Sequence, residues 1–178
     1  SSNIEEVSTS SCTHYFRMNF FSLHHIIITH NIGKLKLFKS EILANVRLNG
    51  NTFLLQASID IPEIDFTPGQ FFNIKVTAGN YPLLRRPFSI CDYSNGILTF
   101  MIHICGQGTE ILSLKKSGDV LDLLGPLGNG FSIDGDFENA VIVGGGIGIA
   151  PFPYLTRKIG KDKKIITFAG GRSSNDII

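Results

Sequence analysis

The fold turns on "RRPFSICDYSNGILTFMIHICGQGTE", residues Arg85 to Glu110. Two runs rich in β-branched and aromatic residues flank Asn95-Gly96, a pair suited to the positive φ angles of a tight turn, so two antiparallel strands are expected. In an extended strand, Arg86 and Phe88 lie on one face. There a guanidinium can grip a phosphate in a bidentate way while the ring lies against a flat heterocycle. Ser89 falls on the opposite face of an ideal strand, so its use in the same site requires the strand to end or bend there. Gly106-Gln107-Gly108-Thr109, opening "TEILSL", reads as the start of a short helix. Its Thr109 either caps that helix or binds a phosphate through hydroxyl and backbone N–H.

Outward from this stretch the same texture continues in both directions. "KLFKSEILANVRL" and "TFLLQAS" surround Asn49-Gly50 and predict a hairpin; "FFNIKV" follows a Pro68-Gly69 turn, and "DVLDLLG" follows Ser117-Gly118. With the two strands around Asn95-Gly96, these make six short strands in about ninety residues, which fits a closed antiparallel all-β barrel. Beyond Phe131 the pattern changes. "AVIVGG" is a continuous apolar run of the kind found in covered parallel strands, "IAPFPYLTRKI" reads as a helix and "KIITFAG" as a second such strand, giving one βαβ unit. Residues 1–35 show neither period and read as an extension of unknown role.

The glycines of "VIVGGGIGIAP", Val141 to Pro151, allow a tight strand-to-helix turn whose N–H groups approach an anion at the helix terminus. The dinucleotide pattern G-x-G-x-x-G is met only in part, because Ile149 stands where the third glycine belongs; a tight turn without a ligand is the other reading. Pro151 suits a first helical turn. Pro153 requires either a helix that begins at Phe152 or later, or a distorted first turn.

Lys and Arg number 16 against 15 Asp and Glu, so no global field draws in nucleic acid or an anionic membrane. The apolar runs fall far short of the ~18 residues of a membrane span, and the first residues make a poor secretory signal. Cys12, Cys91 and Cys105 form no C-x-x-C pair, which argues against a disulfide framework, a metal site or a four-cysteine cluster in this chain and fits reduced thiols in the cytoplasm.

Taken in order, Arg86-Pro87-Phe88-Ser89, Gly106-Gln107-Gly108-Thr109 and Gly145-Gly146-Ile147-Gly148-Ile149-Ala150-Pro151 resemble the motifs of the ferredoxin-reductase superfamily over about Lys36 to Ile178. Within it, "RRPFSI", "GDVLDLLGPLGNGF" and "VIVGGGIGIAP" look most like electron-transfer subunits of B-type dihydroorotate dehydrogenases. The resemblance implies a six-stranded Greek-key flavin-binding barrel over residues 36–134, then the start of a Rossmann-like NAD-binding domain over 138–178. It also implies that Arg86 binds an FAD phosphate, that Phe88 packs on the isoalloxazine with Pro87 beside it, and that Ser89 hydrogen-bonds near flavin N5. Gly108 and Thr109 would hold the pyrophosphate, and Met101, Ile102 and His103 would line the FAD. His103 stands where the family usually carries Arg or Lys; its other reading is a solvated strand histidine.

NAD would be held by Gly144, Gly145, Gly146, Gly148 and Pro151, with Arg172 near the adenosine ribose; the choice between NAD and NADP stays open. FAD is implied over FMN. The implied function is electron transfer in pyrimidine biosynthesis: dihydroorotate is oxidised on an FMN-containing catalytic partner within a heterotetramer, and electrons pass through a [2Fe-2S] cluster and FAD to NAD+. Two alternatives stand beside it, the flavin subunit of a related ferredoxin:NAD(P) reductase or sulfide dehydrogenase complex, and a non-catalytic remnant that binds a partner. Relative to the family, the chain reads as truncated before the iron-sulfur cysteines. This chain alone is therefore expected to bind flavin, to carry no cluster, to bind NAD weakly and to expose an apolar sheet edge.

Overall fold

A computed structural model describes residues 36–60, 66–79 and 81–172. The expected extension over residues 1–35 lies outside the described residues, as does the end of the 138–178 segment. Eight strands follow in the order β1 (Lys36–Arg47), β2 (Thr52–Ser58), β3 (Phe71–Lys75), β4 (Arg86–Ser94), β5 (Ile97–His103), β6 (Val120–Leu127), β7 (Asn139–Gly145) and β8 (Lys164–Gly170). Helix α1 (Gln107–Ser113) stands between β5 and β6. A 3-10 turn (Gly146–Ile149) and helix α2 (Phe152–Ile159) stand between β7 and β8.

The first six strands close into an antiparallel barrel of order β1-β2-β5-β4-β3-β6. Turn chemistry sets its hairpins. Asn49 Oδ1 accepts from the N–H groups of Asn51 (3.0 Å) and Thr52 (2.9 Å), which folds β1 back on β2. Asn95 and Gly96 have φ of 50° and 76°, the positive pair that matches the twist of a two-residue hairpin between β4 and β5.

Alternation then fills the interior. Phe53, Leu55, Ala57, Phe72, Ile74, Ile90, Leu98, Phe100, Ile102, Leu121 and Leu123 all belong to one buried cluster. Phe72 lies at its centre, with edge-to-face contacts to Phe38 (6.2 Å), Phe66 (5.7 Å) and Phe100 (6.0 Å). Gly125 of β6 is the slot for that ring: a Cβ there would lie 2.5 Å from Phe72 Cδ1.

Strands β7 and β8 pair in parallel from Asn139↔Lys164 to Gly145↔Gly170. Helix α2 begins at Phe152, after the 3-10 turn, with Pro151 at its N-cap and Pro153 in its first turn, so neither proline breaks a helical hydrogen bond. The helix covers one face of the pair through Ile142 and Gly144; Val141, Val143 and Phe168 on the other face are 60 %, 73 % and 59 % exposed. The bare apolar surface includes a sheet face as well as the expected edge, since β7 and β8 pair only with each other and each keeps one side without a strand partner among the described residues. Strand side chains alternate, so covering one face leaves the other's apolar residues without cover among the described residues.

Candidate functional site

Strand β4 carries the site and changes neighbours along its length. Its first half pairs with β3, from Phe71↔Ser89 to Ile74↔Arg86, whereas its ladder with β5 runs only from Ser94↔Ile97 to Ile90↔Phe100. A register shift between Ile90 and Asp92 marks the change. Beyond it, Arg86–Ser89 are not paired with Met101–His103, so the barrel wall opens between the two stretches that the sequence singles out. Ser89 does not end the strand; the irregularity that bends it comes just after.

The two arginines divide their labour. Arg85 is held on the barrel: Nη2 meets Asp122 Oδ1 at 2.8 Å, and Nη1 donates to the carbonyls of Asp122 (2.8 Å) and Asn73 (3.4 Å). Arg86 Nη1 donates only to the carbonyls of Leu84 (2.9 Å) and Arg85 (3.4 Å), and among the described residues it makes no ion pair. Its half-buried guanidinium abuts the first turn of α1, since a Cβ on Gly108 would lie 3.6 Å from Arg86 Nε and 3.5 Å from Val76 Cγ2. A cation without a carboxylate, beside N–H groups at a helix start and a glycine that keeps the approach open, suits an anionic oxygen cluster.

Both ends of that short helix are fixed, the first by its own Thr109 and the second from outside it. Thr109 Oγ1 accepts from the N–H groups of Cys105 (3.0 Å) and Gly106 (3.2 Å) and donates to the Gly106 carbonyl (2.8 Å). Of the two uses open to this hydroxyl, the structure shows the cap, and only the backbone N–H at Thr109 is left for a phosphate. At the other end Asn45 Nδ2 reaches across from β1 to the carbonyls of Leu112, Ser113 and Lys115 (3.1, 3.2 and 2.8 Å).

Phe88 is half-buried and packs one side on the barrel core, with Pro87 exposed and Ser89 half-buried beside it. Across the opening the three β5 residues separate. Ile102 points inward and is fully buried, so a ligand meets only its backbone. Met101 points outward into a small cluster with Cys91, Ala150, Leu54 and Ile149. His103, half-buried on the same outer face, places Nδ1 3.2 Å from Thr52 Oγ1. Its ring is therefore tied to β2 and not simply solvated.

The glycine run also divides. A Cβ on Gly144 would lie 2.4 Å from Phe152 Cζ, so this glycine lets α2 close on β7, and a Cβ on Gly145 would lie 3.4 Å from the Gly170 carbonyl oxygen. Gly146 (φ 51°) and Gly148 have open space where a side chain would go. Arg172 is exposed just past β8, at the same end of the parallel pair as this turn, where ligands of open α/β sheets bind. Pro151 is buried and serves packing. We expect Gly144→Val to destabilise the chain by about 1–3 kcal/mol through overpacking, and Gly148→Ala to stay within about 0.5 kcal/mol of the parent. Urea unfolding of the two variants checks this.

Three features could not be read from sequence spacing: the β4–β5 opening, Val76 beside Gly108, and Asp122 as the partner of Arg85. Each depends on register between distant strands. Asp122 also receives Lys39 Nζ at 2.9 Å. Partial burial pushes its carboxyl up, but hydrogen bonds and charge from Lys39 and Arg85 outweigh that and leave it below the ordinary 3.8. A carboxyl depressed on folding adds stability above its unfolded pKa and loses it as pH falls through the folded value. The parent should therefore melt above Asp122→Asn at neutral pH, and the difference should shrink below about pH 4. Thermal melts of both proteins from neutral to acid pH provide the check.

Among the described residues no group of three His, Cys, Asp or Glu side chains is placed to hold a metal ion, and no helix is long and apolar enough to cross a membrane.

No family model matches the chain. Among curated proteins it is 35 % identical over 148 residues to the electron transfer subunit of dihydroorotate dehydrogenase B (NAD(+)) of Desulforamulus reducens, covering 80 % of this chain and 56 % of that protein. The chain thus spans just over half the length of that relative. Among solved structures it is similar to an NADH-dependent reduced ferredoxin-NADP oxidoreductase, with a TM-score of 0.68 and 29 % identity over 78 % of this chain and 50 % of the other. It is also similar to the ferredoxin reductase of carbazole 1,9a-dioxygenase, with a TM-score of 0.70 and 25 % identity over 81 % and 45 %.

Proposed function

We propose that the chain is a flavin-dependent oxidoreductase of the ferredoxin-reductase superfamily, a reading supported by its similarity to the relatives above, that its barrel holds FAD at the β4–β5 opening and that it is the electron-transfer part of a dihydroorotate-oxidising complex. The observation that carries this reading is the pairing of Arg86, which makes no ion pair among the described residues, with the open turn at Gly108, next to a wall that parts between Ser89 and Met101. FAD, when bound, supplies an exchange of single electrons on one side and of hydride with a nicotinamide on the other.

In this reading residues 36–134 are the flavin-binding unit. Arg86 and the backbone N–H groups of Gly108 and Thr109 hold the phosphates. Phe88, with Pro87, lies along the isoalloxazine, and Ser89 hydrogen-bonds near N5. Met101 and the backbone of Ile102 line the opposite side of the opening, and His103, anchored by Thr52, faces the same crevice. Residues 138–178 begin the nicotinamide-binding unit, where Gly146 and Gly148 admit the pyrophosphate of NAD and Arg172 stands near the adenosine ribose. In this reading no side chain need act as nucleophile or general base; the chain orients two flat cofactors.

The partner in this reading is an FMN-containing catalytic subunit that oxidises dihydroorotate, with a [2Fe-2S] centre relaying the electrons, and the acceptor is NAD+. The relative's name, which specifies dihydroorotate dehydrogenase B and NAD(+), supports it. Reconstitution with such a catalytic subunit, a protein that carries the [2Fe-2S] centre, dihydroorotate and NAD+ tests it. NADH and orotate formed in equal amounts are the expected products; NADH formed from sulfide or reduced ferredoxin instead places the chain in a different complex.

A further inference from the structure

Helix α2 meets the barrel on β4, the strand that bears Arg86–Ser89. Tyr154, fully buried, donates its hydroxyl to the Phe66 carbonyl at 2.5 Å. One turn on, Arg157 Nη2 donates to the Asp92 carboxylate and to the Tyr93 carbonyl, the latter at 2.6 Å. The Arg157 guanidinium also stands 5.3 Å from the centre of the Tyr154 ring. Asp92 sits at the register shift of β4, three residues past Ser89. At the other end of the same contact, Ala150 and Ile149 of the glycine turn rest on Cys91 and Met101, on the outer face of β4 and β5.

From this geometry we infer that Tyr154 and Arg157 are positioning residues that clamp α2 to β4 and so set how closely the glycine-rich turn approaches the flavin strand. The Arg157–Asp92 pair is solvent-exposed, with side chains 47 % and 38 % accessible. Such pairs add little stability. Its two acceptors on adjacent β4 residues instead fix the orientation of the helix, while the buried Tyr154 hydrogen bond fixes its depth. The functional meaning of the clamp rests on the proposed flavin and nicotinamide sites, because it fixes the gap a hydride must cross. The clamp itself can be tested without either cofactor.

Cys91 is the probe. It is 4 % exposed beneath Ala150, and burial together with the Asp92 charge pushes its thiol up to about 11. In a Cys12→Ser, Cys105→Ser background it is the one remaining thiol. If the clamp holds the turn down, Arg157→Ala and Tyr154→Phe each raise the rate of Cys91 modification by a neutral alkylating reagent about tenfold, by raising the population in which α2 is lifted. Removing the Arg157 cation leaves the Asp92 charge unopposed, which alone slows thiolate formation, so acceleration reports exposure. Arg157→Lys keeps the bond to Asp92 and should restore most of the protection, and flavin bound per chain should stay at the parent level in all three. Modification rates within about twofold of the parent in both Arg157→Ala and Tyr154→Phe, with circular dichroism unchanged, overturn the inference. A chain that takes up no flavin yet shows the predicted Cys91 pattern retains the clamp and loses the flavin reading instead.

Discussion

Arg86→Ala is expected to weaken flavin binding about ten- to a hundredfold, the equivalent of roughly 1.5–3 kcal/mol for a lost charge-assisted contact to phosphate. The companion Arg85→Ala should leave flavin affinity nearly unchanged and lower the melting temperature, because its guanidinium is already engaged by Asp122 and two carbonyls. The two residues are adjacent and chemically identical, so the contrast isolates position from charge. Fluorescence titration of each apoprotein with FAD, beside a thermal melt, measures both. Equal losses of affinity would show that the field of the pair, and not the place of Arg86 beside Gly108, governs binding.

The larger effect on folding belongs to Phe72→Ala, expected to cost about 3–5 kcal/mol. Phe72 is fully buried, touches three other rings and fills the slot that Gly125 leaves open. Phe38 is anchored in β1 and Phe100 in β5, so they cannot collapse together into the void without shifting the ladders of β1 with β2 and β6 or of β5 with β2 and β4. Since β4 carries Arg86, flavin affinity should fall as well, through loss of the folded population. Chemical denaturation gives the stability change, and titration at a temperature where the variant is folded separates the two effects.

Much of the architecture was legible because local signals agreed with one another. "TFLLQAS" between Asn49-Gly50 and a polar stretch became β2 at Thr52–Ser58, and "KIITFAG" became β8 at Lys164–Gly170. The βαβ order followed from the switch between alternating and continuous apolar runs. Pro153 required a late or distorted helix start, and both a late start and a preceding 3-10 turn are present. The details that were not legible are those set by pairing across the barrel. Ile102 and Met101 are neighbours in sequence, yet one lies in the core and the other under the glycine turn, a split that depends on which face of β5 turns inward. Thr109 was readable as a cap or a phosphate ligand, and only the position of the Cys105 and Gly106 N–H groups decides for the cap. Gly144 sits inside a run that resembles a phosphate loop, but its place is dictated by the Phe152 ring, a contact made only once α2 folds back.

The central claim, that the opening between β4 and β5 is a flavin site, is tested most directly by equilibrium dialysis of the purified chain against FAD, with the bound flavin then released and identified. The account predicts about one FAD per chain, with FMN bound more weakly because it lacks the second phosphate and the adenosine. A chain that binds neither flavin while folded, or that binds FAD equally well after Arg86→Ala, would contradict it.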